Sequence, residues 1–422
     1  MGAMTPQASA ISPGQLTDAQ VREFILENLQ GRFRRERVLV LVPDQTRTLP
    51  LPRLFSNLTE ALGDAARLDV MIALGTHPAL SLPQQLRLLG LDGGRADAGA
   101  PLTRIFNHAY DRPESLVQLG ELSTSAVREL AGESWHPSLD RPVPITVNRR
   151  IQEYDRLLIL GPVFPHEVVG FSGGWKYLFP GISGPELIDA THWLGALVGI
   201  PQTIGRRETP VRQMIHRAAR AVPVPVSLLA PVVEEGGLAG LFFGEPEDAW
   251  EQAAALSAER HIQSVPRRYP EVLSHALPRY DELWTAAKAV YKVEQLVEDG
   301  GRLILYAPDL ARISETHGGY LRRIGYHVMP YFLEQWERFQ EYPLAVLAHS
   351  THLKGSGTVQ RGLERPRIEV VLASRIPESL CKELNLGYRD PAELNPGKWQ
   401  TRAPEERLVI PHAGETLYRI GE

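Results

Sequence analysis

Residues 157–184 read LLILGPVFPHEVVGFSGGWKYLFPGISG. The first four, Leu157 to Leu160, form a continuous apolar run, the pattern of a short strand buried on both faces. The residues after it offer more than a turn: His166, then Ser172, Gly173 and Gly174, then Lys176, and a stop at Pro180-Gly181. In an open α/β sheet, ligands sit beyond the carboxyl ends of the strands. Small residues there let backbone N–H groups come close to a phosphate, and a helix N-terminus adds a favourable dipole. The stretch matches neither GxGxxG nor the phosphate-binding GxxxxGK[ST], so alone it defines a ligand-capable loop and no activity.

The same grammar repeats on either side. Residues 38–42 (VLVLV) read as a buried strand that ends in Asp44-Gln45-Thr46-Arg47, followed by a helix over 54–62. Residues 68–74 read as a second strand, ending in Gly75-Thr76-His77 before a helix over 82–89. Thr17 caps a helix that runs to about Leu29, and a helix over 185–197 carries His192 in its body. Residues 145–148, 224–229 and 240–243 read as further strands. Strand, polar loop and helix in alternation predict an α/β fold with a doubly wound, mostly parallel sheet. The less regular stretch 92–144 holds Asn107-His108 and Trp135-His136, two further candidates for the site.

A chain of 422 residues exceeds one ordinary core. We expect two domains, residues 16–260 and 266–400, with 405–422 returning to the first as an edge strand and the site in the crevice between them. In the second domain the pattern predicts a long helix over 283–297 and strands at 303–306, 345–348 and 369–372. The proline-bounded stretch 266–278 reads as the crossing linker.

Bulk properties narrow the class. Hydrophobic content of 43% and charged content of 23% are those of a globular protein, and a net charge of −5 argues against nucleic-acid binding. The single cysteine, Cys381, excludes an internal disulfide and a cysteine-rich metal site, so histidine must carry most of any metal ligation. There is no apolar run of about 18 residues, and the first fifteen residues lack the regions of a secretory signal. Membrane association is therefore not expected, and the cytoplasm is the expected location.

Taken singly, Asp44 and Arg47 read as a turn and a surface charge, His77 as a helix cap, and His192 as a satisfied helix histidine. Together they carry chemistry, because three separate strand ends deliver Asp44 and Arg47, His77, and His166 to one crevice. Two histidines flanking a substrate make an acid/base pair near neutral pH. An arginine beside them holds a carboxylate by a two-pronged hydrogen bond.

DQTR at Asp44–Arg47, GTH at Gly75–His77 and PHEVVGFSGGWKYLFPG at Pro165–Gly181 resemble the signature segments of the nickel-pincer lactate racemases. His192 lies at the family's spacing after Lys176. The resemblance spans most of the first domain and is thin in the second. It implies a 2-hydroxy acid racemase or epimerase whose nickel-pincer nucleotide is linked to Lys176, with nickel held by His192. It assigns His77 and His166 to the acid/base roles and Arg47 to the substrate carboxylate. Asp44, Thr46 and the Ser172-Gly173-Gly174 loop would then lie along the cofactor. It also implies cofactor-synthesis proteins as partners and hydride transfer as the chemistry.

The second domain departs from the family's glutamine and lysine pair near the substrate: Lys288 is present, but the glutamine position is Thr285. Trp336 is the candidate for the family's site-closing tryptophan, and His349 and His352, placed just past a strand, are candidates for the crevice. Two other classes stay open at this point. One is a metal-dependent hydrolase or lyase built on the histidines, which would leave Lys176 without a role. The other is a non-enzymatic nucleotide or metallocofactor carrier.

Overall fold

The computed structural model describes residues 8–92 and 102–421. Its larger sheet has seven strands, ordered Ser9–Ile11, Gly237–Gly244, Val226–Glu234, Arg156–Leu160, Arg37–Val42, Arg67–Ile72 and Leu102–Asn107. The last five pair in parallel, whereas Gly237–Gly244 and Ser9–Ile11 add antiparallel at one edge. Val38 to Val42 and Leu157 to Leu160 are buried throughout, as strands covered by helices on both faces must be. The first helix, Asp18–Leu29, starts with a capping box in which Thr17 and Gln20 satisfy each other's backbone N–H groups. The strand at Val143–Asn148 does not join the large sheet; it pairs antiparallel with Leu116–Leu122.

The second sheet is all parallel, ordered Gly387–Tyr388, Glu369–Ser374, Val297–Ala307, Tyr269–Ala276 and Arg407–Ala413. Three expectations change here. The stretch expected as a linker contains Tyr269–Ala276, an interior strand with Val272 and Leu273 fully buried. Its prolines misled the reading because Pro270 sits at a register shift, where a missing N–H costs no ladder bond. Arg407–Ala413 extends this second sheet instead of returning to the first, and Leu417–Ile420 then pairs with Ile262–Val265. Residues 345–348 lie within a helix, Leu344–Lys354, every residue of which is buried. A short apolar run buried all round has no periodicity to separate helix from strand.

The long helix expected over 283–297 is broken into Leu283–Ala286, Lys288–Tyr291 and a tight turn at Glu294–Leu296. Backbone bonds from Val290 to Ala287 and from Leu296 to Val293 span three residues, which winds the segment too tightly for an α-helix. The two bodies share one apolar cluster, in which Leu187 and Leu194 of helix Pro185–Val198 are joined by Val346 and Leu347 of helix Leu344–Lys354. Asp189 Oδ1 accepts the Ala345 N–H at 2.9 Å, so the helix that carries His192 caps the helix that carries His349 and His352. No helix among the described residues is long and apolar enough to cross a membrane.

Candidate active site

The crevice between the two bodies has a cavity volume of about 140 Å³. Asp44, Arg47, His77, His166, Lys176 and His192 reach it from the first body. The second body contributes Trp284, Thr285, Lys288, Tyr291, His349 and His352. Thr46, Ser172 and Gly173 also line it; Gly174 and Trp336 do not.

The first-body loops are fixed by backbone devices. Gly75 adopts a left-handed φ of 56° and its N–H bonds Gly181 O at 2.9 Å, which ties the His77 loop to the Pro180-Gly181 stop. Gly173 and Gly174 have φ of 84° and 59°, and a Cβ on Gly174 would meet the Trp250 ring at 3.1 Å. Gly174 is thus set by packing behind the loop and not by the crevice. The Ser172 hydroxyl donates to Pro162 O at 3.1 Å and accepts from Phe164 N at 2.9 Å, so it latches the loop shut.

Sequence reading missed the support beneath this loop. Arg212, 1% exposed, donates to the carbonyls of Phe171 and Gly173, and Trp250 donates to Ser172 O at 2.8 Å. The guanidinium lies 4.1 Å over the Trp250 ring, and burial pulls its pKa down to about 9. Arg212→Met should leave those carbonyls without donors and cost roughly 1–3 kcal/mol. Thermal melts of the variant against Arg212→Lys would measure this; equal midpoints for Met and the parent would refute it.

The histidines differ in their partners. His77 donates from Nδ1 to Asp44 Oδ2, while Asp44 Oδ1 accepts from Thr46 N at 3.0 Å and Thr46 Oγ1 at 2.6 Å. Burial works against the Asp44 charge, but the contact with His77 outweighs it and holds the carboxyl well below the usual range. With Nδ1–H committed to a carboxylate, His77 keeps a bare Nε2. His166 is arranged the other way: its Nδ1 accepts the Val168 N–H at 3.1 Å, and Glu167 Oε2 lies 3.4 Å away. Burial keeps its pKa well below 6.5. In this neutral form its proton sits on Nε2.

His192 donates from Nδ1 to Ile188 O at 2.7 Å, one helical turn back, which leaves Nε2 as a lone-pair donor. Burial lowers its pKa to about 4. Burial, then the nearby Arg47 charge, brings Lys176 down to about 7. The same two causes bring Lys288 down to about 8. Among the described residues no group of three or more His, Cys, Asp or Glu side chains is gathered to hold a metal ion, the donor set that the hydrolase alternative requires.

Other expectations resolve differently. Trp336 stacks on Trp193 at 5.7 Å, away from the crevice, whereas Trp284 lines it and stacks on His349 at 3.9 Å. His108 bonds Ser183 O at 2.9 Å and Asn148 at 3.2 Å, and His136 bonds Ser138; both are structural. The C-terminal segment adds an unforeseen brace, because Glu415 Oε1 accepts the Thr48 N–H at 3.1 Å and its carbonyl accepts Lys292 Nζ at 2.9 Å.

Two α/β bodies closing on a crevice of convergent histidines, lysines and an arginine define an enzyme of the interdomain type. The family profile described as the lactate racemase N-terminal domain matches residues 138–202. The lactate racemase of Lactiplantibacillus plantarum is 23% identical over 336 residues, 75% of this chain and 71% of that protein. The lactate racemase of Thermoanaerobacterium thermosaccharolyticum is 21% identical over 291 residues, 68% of this chain and 62% of that one. Among solved structures, a Thermotoga maritima protein superposes with a TM-score of 0.88 at 29% identity, covering 97% of this chain and 100% of that one. The lactate racemase apoprotein of T. thermosaccharolyticum shares the fold, with a TM-score of 0.70 at 16% identity over 99% and 97% of the two chains. Over these lengths the chain is similar to the lactate racemases in sequence and in fold.

Proposed function

We propose that this protein racemises or epimerises a small 2-hydroxy acid, with a nickel-pincer nucleotide linked to Lys176 and its nickel held by His192. The observation that carries the proposal is the convergence in one crevice of two differently prepared histidines, a lysine near neutrality and a histidine with a free Nε2. The residues fit the group. A lysine depressed to about 7 is partly unprotonated at physiological pH, as an acylated amine must be to form its link. A neutral imidazole with its other nitrogen fixed on a carbonyl is a suitable nickel ligand. When bound, the group supplies a reversible acceptor for the hydride on the hydroxyl-bearing carbon.

The chain's own residues do the rest. Arg47 and Lys288 draw in the substrate carboxylate; burial opposes the Arg47 charge, but Glu167 and Asp44 outweigh it. His77 takes the hydroxyl proton at Nε2, and Asp44 stabilises the imidazolium that results. His166 serves the opposite face. With Nδ1 occupied by the Val168 N–H its proton sits on Nε2, from which it protonates the substrate oxygen on that face. Closure of the two bodies over the crevice excludes water from the reacting centre. Cofactor-synthesis proteins are the implied partners.

Intact-mass analysis of protein made with and without those proteins, joined to a nickel assay, tests the reading. An adduct on Lys176 is expected only in their presence, and its absence there would overturn the proposal. His192→Ala should keep the adduct and lose the nickel. Nickel at the parent level in that variant would remove His192 from its assigned role.

A further inference from the structure

The chain leaves the first body through Ile262–Val265 and returns to it after strand Arg407–Ala413, where Leu417–Ile420 pairs in parallel with that outgoing segment. Gly414 and Glu415 begin this returning strap, which is fastened on both sides. On the first body, Arg419 Nη2 donates to Ile204 O at 2.6 Å. On the second, Lys292 Nζ donates to Glu415 O and the Tyr418 N–H donates to Lys292 O, both at 2.9 Å.

Arg47 depends on support of this kind. Among the described residues its guanidinium makes no hydrogen bond with a protein group, so nothing fixes the side chain from its charged end. Its aim is set from the backbone. On one side Asp44 holds the loop, its Oδ1 accepting the Thr46 N–H at 3.0 Å and its carbonyl facing the Arg47 N–H at 3.5 Å. On the other side the next N–H, that of Thr48, is accepted by Glu415 Oε1 at 3.1 Å. Peptide planes are rigid, so holding the two that flank Arg47 fixes its φ and ψ and the direction of its Cα–Cβ bond.

Lys288 rests on the same strap at one remove. Its Nζ lies 5.3 Å from the centroid of the Tyr280 ring, and Gly414 packs so close behind that ring that a Cβ would come within 2.4 Å of it. Gly414 has a φ of 131°, which a residue with a side chain rarely adopts. Two consecutive residues of the strap thus stand behind both cations of the crevice.

Resting on the 2-hydroxy acid reading above, we infer that Glu415 is a positioning residue for carboxylate binding: through the Thr48 N–H it aims Arg47, from a strap that Lys292 ties to the second body. What the link requires is an acceptor oxygen in the place of Oε1. The substrate carboxylate keeps its charge throughout isomerisation, so a loosened Arg47 weakens ground state and transition state alike. The loss then appears in Kd and KM and not in kcat.

Three variants separate geometry from charge. Glu415→Ala removes the acceptor, Glu415→Gln keeps an oxygen in its place without charge, and Glu415→Asp keeps the charge but draws the oxygens back by one methylene. Parent and variants, all made with the cofactor-synthesis proteins and checked by mass for the Lys176 adduct, would be compared in three measurements. These are deuterium uptake of the peptide spanning residues 43–50, the dissociation constant of DL-lactate by calorimetry, and kcat and KM for racemisation of L-lactate. In Glu415→Ala the uptake should quicken about tenfold, and Kd and KM should rise about tenfold with kcat within about threefold of the parent. Glu415→Asp should follow Glu415→Ala, and Glu415→Gln should stay within about threefold of the parent throughout.

A DL-lactate Kd in Glu415→Ala within about twofold of the parent overturns the inference, whatever the exchange shows. If that variant does not fold, the same outcome in Glu415→Asp decides. An equal loss in Glu415→Gln overturns it too, by assigning the effect to charge, as does a fall in kcat as large as the rise in KM. Weakened binding in Glu415→Ala with no racemisation by the parent would sink the proposed function alone. Parent protein that fails to bind DL-lactate would remove the carboxylate role of Arg47 and this inference with it.

Discussion

Lys176→Met is expected to reduce isomerisation to background and, in protein made without the cofactor-synthesis proteins, to raise the thermal midpoint. The first effect comes from the loss of the proposed tether. The second comes from linkage. In the folded chain the amine sits near 7, against an ordinary value of 10.5, because burial and the Arg47 charge disfavour its protonation. Between those values the unfolded chain binds the additional proton, so the stability of the unmodified protein rises with pH across that window. Below about 7 the burden on the folded state is at its largest, and above about 10.5 it vanishes.

Methionine fills similar space without a charge and escapes the burden. Allowing for the partial exposure of the side chain, the gain near neutral pH is about 1–3 kcal/mol, or several degrees of midpoint. Melts of both proteins from pH 6.5 to 10 would test this. A gap that fails to close as the pH rises would mean that Lys176 is not strained in the way described.

Asp44→Asn is expected to cost nearly as much activity as His77→Ala, on the order of 10²–10⁴-fold in kcat, although Asp44 is placed one step from the substrate. The carboxylate dictates which nitrogen of His77 carries the proton. An asparagine amide that donates to Nδ1 moves the proton to Nε2, and the base is lost. Both variants should keep the Lys176 adduct and the nickel, which separates lost proton transfer from lost loading. Retention of parental kcat by Asp44→Asn would remove the dyad from the mechanism.

The two effects also differ in their pH behaviour. Stability contributed by the Asp44 contact is present above the ordinary carboxylate range and lost as the pH falls through the depressed value of the folded state. The acid limb of the stability profile should therefore flatten in Asp44→Asn, while the Lys176 effect, full below about pH 7, changes with pH only between about 7 and 10.5.

Much of the first body could be read from the chain. Val38–Val42 and Leu157–Leu160 are apolar runs of strand length bounded by glycine and proline, and the polar residues at their ends reach the crevice where a parallel sheet delivers them. The second body was less legible for local reasons. Pro270 disguised an interior strand, and the uniform burial of Leu344–Lys354 removed the periodicity that marks a helix. His349 and His352 were therefore assigned to the region after a strand, although both line the crevice from a helix. Arg212, Glu415 and Trp284 carry no local motif; their partners lie 41, 367 and 65 positions away in the chain.

The sequence alone determined which residue types stand at the strand ends, because an apolar run followed by a polar loop is short-range order. The candidate tether, metal ligand and proton carriers came from the resemblance of those segments to a known family. Only the tertiary structure decided the hydrogen-bond partner of each histidine and the commitment of the Ser172 hydroxyl and Gly174 to the loop's own support. These depend on hydrogen bonds and burial between segments distant in the chain, which no local pattern records.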